Sequence, residues 1–292
     1  MPEIGSSKPR LDAIGKVTGE TAYPGDLVHP DMAFMKILFA ERPHAWVIRI
    51  DTSKAKALEG VLAVFTAKDV PVNEYGLIMP DQPVLCGPGS EKPYADHVRF
   101  VGDQVALVVA ETEDIAEHAS RLIEVEYEDL PIVTDPVRAM QSDSMKLHPE
   151  RDDNIFCHYK IRKGDVDEGF SKAAVIIEGE YHTPAQEHAY LQPEAGLAYI
   201  DEQGRVTVEV AGQWTHEDQE QIAHSLNLPL DQVRVIYPAI GGRSVDVRTC
   251  LCRSFLHLQP GVCTKRVSSA PSKSFGHERN RFLDTISGIR LF

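Results

Sequence analysis

A break in composition at Gly241-Gly242 constrains this chain more than any motif in it. Up to Gly242 the chain carries 21 Lys+Arg and 41 Asp+Glu, a formal balance of −20. Arg243 to Phe292 carries 9 Lys+Arg and 3 Asp+Glu, a balance of +6. Three of the five cysteines (Cys250, Cys252, Cys263) and seven serines fall in this tail of 50 residues. One core-forming domain rarely switches charge and cysteine content so sharply beside a strand. The folding information is therefore expected in residues 1–242. The tail reads either as a separate basic segment or as the wrong reading of its own gene.

Length sets a prior of two domains for 292 residues. The composition, 42% hydrophobic and 25% charged, is that of a globular chain able to bury a core. Apolar runs such as Val105 to Ala110 fall far below the roughly 18 residues of a membrane span. MPEIGSSKPR has no apolar h-region, so the chain is expected in the cytoplasm, with no membrane partner. The five cysteines are irregularly spaced and do not suggest a disulfide framework. A net charge of −14 argues against nucleic acid, which demands clustered Lys and Arg.

Residues 1–137 alternate short strands and helices. Strands are predicted at Ala33 to Ala40, Val47 to Ile50, Val61 to Thr66, Gln104 to Ala110 and Ile123 to Tyr127. Thr112 is placed to cap a helix over Glu113 to Leu122, with Glu113 and Asp114 favouring its dipole. Gly60 sits where a helix ends. Residues 138–153 form a polar linker within the proline-bearing stretch from Leu130 to Asp153. A second module begins at Asn154. It reads as a strand over Ala173 to Tyr181, then a hairpin from Gly196 to Asp201 and Arg205 to Ala211. A helix over Thr215 to Leu226 and a strand over Gln232 to Tyr237 follow. The fold class is α+β.

Candidate chemistry is sparse. Gly241-Gly242 after a strand could open a phosphate-cradling loop, because glycine lets backbone N–H groups approach an anion, although a plain turn explains it as well. Gln186-Glu187-His188 sets a carboxylate beside an imidazole, but neighbours on a strand face opposite ways, which favours a structural role. His182 and His188 lack a zinc spacing, and Cys250, Cys252 and Cys263 lack a fourth ligand, as His257 and His277 add no pattern. No metal ligand is assigned. Gln213 places a side-chain amide at a strand end, where α/β sheets often meet ligands. There is no nucleophile elbow and no GxGxxG.

An ordered set of stretches over residues 9–242 resembles the molybdenum-binding large subunit of the xanthine dehydrogenase/aldehyde oxidase family. Arg10-Leu-Asp-Ala13, Lys16-Val-Thr-Gly19 and Tyr23 are similar to the opening of its a/b hammerhead domain. Arg42-Pro-His44-Ala45, Phe100-Val-Gly-Asp103 and Val125-Glu-Tyr127-Glu-Asp-Leu-Pro131 continue the likeness. Leu191, Pro193-Glu194, Gly212-Gln213 and Ala239-Ile-Gly-Gly242 resemble the start of the molybdopterin-binding domain. The resemblance implies a hammerhead domain over 1–137 and the truncated start of the cofactor domain over 154–242.

Family members continue past this Gly-Gly with a loop of the form AFGGRED. Here Arg243-Ser-Val-Asp-Val-Arg-Thr follows. One permitted choice of codons for Arg243 to Arg253, with a suitable preceding base, spells AFGGREDVSVQ when moved by one base. A one-base frameshift at or just after Gly242 is therefore expected, with 243–292 an aberrant tail that adds no ordered structure.

The resemblance further implies hydroxylation of a purine, aldehyde or N-heteroaromatic small molecule with water-derived oxygen at a molybdenum–molybdopterin centre. Electrons would pass to [2Fe–2S] clusters and FAD on partner subunits or domains. Gln213 matches the glutamine that bonds the molybdenum oxo ligand, and Gly241 and Gly242 match the glycines leading into the cofactor loop. The general-base glutamate of the family lies beyond this chain, so no catalytic residue is assigned. Two other readings stand beside this one: a non-catalytic truncated product, and a small-ligand-binding or subunit-contact module.

Overall fold

The structure is a computed structural model that describes residues 5–76, 79–184 and 192–241, together with the backbone strand Ile289–Leu291. It divides into two compact units. One joins Met1–Leu130 to the chain from Tyr190 on, and the other is Pro131–Ala189.

The larger unit is built on a seven-stranded sheet in the order β3-β5-β1-β10-β7-β8-β9. These strands are β1 (Ala33–Phe39), β3 (Val61–Thr66), β5 (Gln104–Ala110), β7 (Gly196–Ile200), β8 (Val206–Val210), β9 (Val233–Ile236) and β10 (Ile289–Leu291). A three-stranded sheet, β4-β2-β6, comprises β4 (His97–Val98), β2 (Ala45–Asp51) and β6 (Glu124–Asp129). Every residue of β5 is buried, as a run of aliphatic side chains in a sheet covered on both faces requires.

After the short helices α1 (Ala13–Thr18) and α2 (Ser53–Ala57), helix α3 (Glu113–Arg121) packs on β1 and β5. Thr112 caps it, its hydroxyl accepting the Ile115 N–H at 3.3 Å. Ala116 and Ala119 are fully buried against Ala106, Val108 and Ala110, small residues that let helix and strand approach closely. Gly60 has φ +85°, and a Cβ there would lie 2.7 Å from Ile115 Cδ1, so both conformation and space call for glycine. The Arg42-Pro-His44-Ala45 stretch has a physical role too. His44 Nε2 meets His97 Nε2 at 2.7 Å in the interior, and the Trp46 ring stacks on His97.

Most predicted elements appear within a residue or two of their expected bounds. Two differ in kind. Ala173–Tyr181, predicted as a strand, pairs with nothing in either sheet. Its expected strand character comes from sequence alternation alone, and strands form only where a partner satisfies their backbone groups. The tail, expected to add nothing, supplies β10. It lies parallel to β1, with Phe34 opposite Arg290, and antiparallel to β7, with Leu197 opposite Arg290. The facing edges of β1 and β7 offer unpaired N–H and C=O groups, and any short extended segment can satisfy them.

In the smaller unit, α4 (Pro136–Ala139) is capped by Asp135, and α5 (Val166–Lys172) by Asp165. The Asn154 amide closes a loop by donating to Ala139 O at 3.0 Å and Met145 O at 2.9 Å. Among the described residues, no helix is long and apolar enough to cross a membrane.

Candidate functional site

Three chain segments converge at one end of the large sheet. β7 runs antiparallel to β8 with Gly196 opposite Val210, so the residues preceding β7 lie where β8 ends. β8 and β9 are parallel, with Glu209 opposite Ile236, and are joined by helix α6 (Thr215–Ser225). The carboxyl ends of two neighbouring parallel strands therefore stand beside the chain entering β7. This is the part of an α/β sheet where ligands bind, because the strands stop and loops diverge.

The turn after β8 holds Gly212, Gln213 and Trp214. Tyr237, just past β9, fixes it from three sides. Its hydroxyl accepts the Trp214 N–H at 3.1 Å and donates to Asp218, which is buried on α6. Its ring lies against Gly212, where a Cβ would fall 2.1 Å from the Tyr237 Cζ. Gln213 is exposed on this clamped turn. Ile222, Ala223 and Leu226 bury the inner face of α6 in the core, as the helical spacing predicts.

Gly241 is placed by a different contact. Its N–H donates to Gln192 Oε1 at 2.6 Å, and Lys16 reaches the Ile240 carbonyl at 3.4 Å. The Gly241 Cα faces the Tyr23 ring, whose Cε1 would be 3.2 Å from an added Cβ. A cavity of about 520 Å³ opens here, lined by Tyr23, Asp26, Gln192, Pro193, Glu194 and Gly241 among others. Tyr23, Gln192 and Glu194 were not singled out as site residues from sequence. Gln192 stands four residues before β7 and is 7% exposed in the fold.

The sequence-derived candidates thus separate. Gln213 and Gly241 come to the same sheet end, while Gly242, Gln186, Glu187, His188 and the tail residues Cys250, Cys252, Cys263, His257 and His277 lie outside the described residues. His182 pairs with Glu180 at 3.0 Å on the surface. Among the described residues, no group of three or more His, Cys, Asp or Glu side chains could hold a metal ion.

Matches to two protein families identify a hammerhead domain leading into a molybdopterin cofactor-binding domain. Residues 18–131 match the family described as aldehyde oxidase and xanthine dehydrogenase, a/b hammerhead domain, and residues 147–243 match the molybdopterin cofactor-binding domain. The chain is 40% identical over 237 residues to a probable xanthine dehydrogenase subunit of Bacillus subtilis, covering 81% of this chain and 30% of that protein. It is 35% identical over 240 residues to the nicotinate dehydrogenase large molybdopterin subunit of Eubacterium barkeri, covering 82% of this chain and 54% of that one. The aldehyde oxidoreductase of Desulfovibrio gigas shares the fold, with a TM-score of 0.75 at 24% identity over 98% of this chain and 30% of that one. The chain belongs to the xanthine dehydrogenase/aldehyde oxidase family and corresponds to a part of its molybdenum-binding large subunit. It spans about a third to a half of the length of these curated relatives.

Proposed function

We propose that this chain is the N-terminal part of the large subunit of a molybdenum hydroxylase. Its substrate would be a purine, an aldehyde or an N-heteroaromatic compound. The reading is carried by the convergence of Gln213 and Gly241 at one sheet end inside a molybdopterin-binding domain. The molybdenum–molybdopterin group would supply the oxidation of substrate carbon with water-derived oxygen.

Gln213, Gly241 and Gly242 are the residues of this chain that would meet that cofactor. Gln213 would offer its side-chain amide from a turn that Tyr237 and Asp218 hold in place. Gly241 would act through close approach, since its N–H is already taken by Gln192. Gly242 would continue that approach into the cofactor loop. The base that accepts the substrate proton would lie on residues beyond this chain. Electrons would leave through [2Fe–2S] and FAD groups on partner subunits.

A one-base frameshift after Gly242 accounts for the abrupt change from −20 to +6 in formal charge at that position. The match to the cofactor-binding domain ends at residue 243, which supports the same reading. The domain boundaries at 137 and 154 belong to this proposal, beside family matches over residues 18–131 and 147–243. The 292-residue chain would then be inactive alone, with at most a subunit-contact role. Assaying the purified chain for molybdenum and for hydroxylation of hypoxanthine, benzaldehyde and nicotinate tests this. We expect neither metal nor turnover from the chain as it stands; stoichiometric molybdenum or turnover would refute the reading.

A further inference from the structure

We infer that the gap between β1 and β7 is a strand-acceptor site for an extended peptide, and that the tail closes it in cis with β10. β10 lies parallel to β1, with Ala33 opposite Ile289 and Met35 opposite Leu291. It lies antiparallel to β7, with Ala198 opposite Ile289 and Gly196 opposite Leu291. Without β10, the sheet β3-β5-β1-β10-β7-β8-β9 falls into two halves with facing edges. Each edge carries backbone N–H and C=O groups that an inserted strand satisfies, so one peptide is gripped from both sides.

The surroundings select the peptide. Ala33, Met35 and Ala198 belong to one buried cluster with Val208 and Ile222. Cross-strand partners share a face of the sheet. Residues in register with Ala33 and Met35 therefore come to the face that this core covers, and apolar residues are required there. The tail has Ile289 and Leu291 in those registers, with Arg290 between them. Backbone pairing asks only for an extended segment with apolar residues at two alternate places, so a tail read in the wrong frame can meet it.

The grip of the tail is short. β10 meets three of the seven residues of β1 and three of the five of β7. A longer extended peptide in the same register would also run beside Tyr199 and Ile200 at one end and residues 36–39 of β1 at the other. It would gain pairs that β10 lacks, which makes the tail a replaceable plug.

Amide exchange on the full 292-residue chain is the test. Exchange at 33–35, 196–198 and 289–291 should be slow together and independent of protein concentration. Arg290→Pro removes a strand N–H and should speed exchange at 33–35 and 196–198 at least about tenfold. An excess of a synthetic peptide of residues 285–292 should bring slow exchange back, and the same peptide carrying Arg290→Pro should not. Ile289→Lys with Leu291→Lys keeps every backbone N–H and repeats the test through the apolar register, should the proline variant lose its thermal transition. Fast exchange at 289–291 in the parent overturns the inference. So does unchanged exchange in the variants, or exchange that the peptide does not slow. Protection that rises with concentration would place a second copy's tail in the gap and overturn closure in cis. Neither molybdenum nor turnover enters these readouts, so the outcome is independent of the proposed activity.

Discussion

Gln192 Oε1 accepts the backbone N–H of Gly241 at 2.6 Å, tying the segment that enters β7 to the segment that leaves β9. The two residues are 49 apart in sequence, and the bond sets where the chain stands as it approaches Gly242. Gln192 is 7% exposed, so the acceptor is protected from water. Gln192→Ala should destabilise the larger unit by about 0.5–1.5 kcal/mol, the net worth of one hydrogen bond to a half-buried backbone donor. Gln192→Glu keeps an acceptor oxygen and should lose less. Urea denaturation at neutral pH separates the two; equal losses would assign the effect to packing.

Tyr237 is the second fastening of the site. Tyr237→Phe removes the hydroxyl that accepts the Trp214 N–H and donates to Asp218, while keeping the ring against Gly212. A loss of about 1–3 kcal/mol is expected. Combined with Asp218→Ala, it should cost less than the sum of the two single changes, because both remove the same bond. Additive losses would show that Tyr237 and Asp218 act independently.

Gly212→Ala should strain the same contact from the other side. The added Cβ would fall 2.1 Å from Tyr237 Cζ and Oη, so the ring or the turn must shift. Overpacking of this kind costs about 1–3 kcal/mol. Tyr237→Leu in the Gly212→Ala background should recover part of the loss. Thermal unfolding of the parent and the two variants gives the comparison, and no recovery would place the strain elsewhere.

Local signals made much of this fold legible. Val61–Thr66 and Gln104–Ala110 announce themselves by runs of β-branched and aliphatic residues, and α3 by Thr112 and its acidic first turn. The hairpin of β7 and β8 follows from alternation around Gly204, whose φ is +78°. Ala173–Tyr181 has equal strand character and forms no ladder, because alternation specifies a face while the ladder needs a partner. At the site, Gln213 and Gly241 were visible by position and family likeness. Gln192, Tyr23 and Tyr237 were not, since each acts across a long sequence separation that periodicity does not encode. β10 escaped for a related reason: it joins the sheet through backbone groups, which any sequence carries.

Acid should loosen the hairpin turn. Burial works to raise the Asp201 carboxyl, but the Arg205 backbone and side chain, the Thr207 hydroxyl and the Gln203 N–H outweigh it and hold the group down at about 2. A folded value below the ordinary carboxylate value means stability that is present above that ordinary value. It is lost as pH falls from there towards about 2. Asp201→Ala should therefore be less stable than the parent at pH 6, with the gap closing near pH 2. A gap that persists at pH 2 would mean Asp201 acts through shape rather than charge.

The most direct measurement compares molybdenum in two proteins made in the same host, by inductively coupled plasma mass spectrometry. One is the 292-residue chain; the other is the product read in the neighbouring frame after Gly242. We expect the second to carry close to one molybdenum per chain and the first to carry none. Stoichiometric molybdenum in the first, or none in the second, would contradict the frameshift and the cofactor site together.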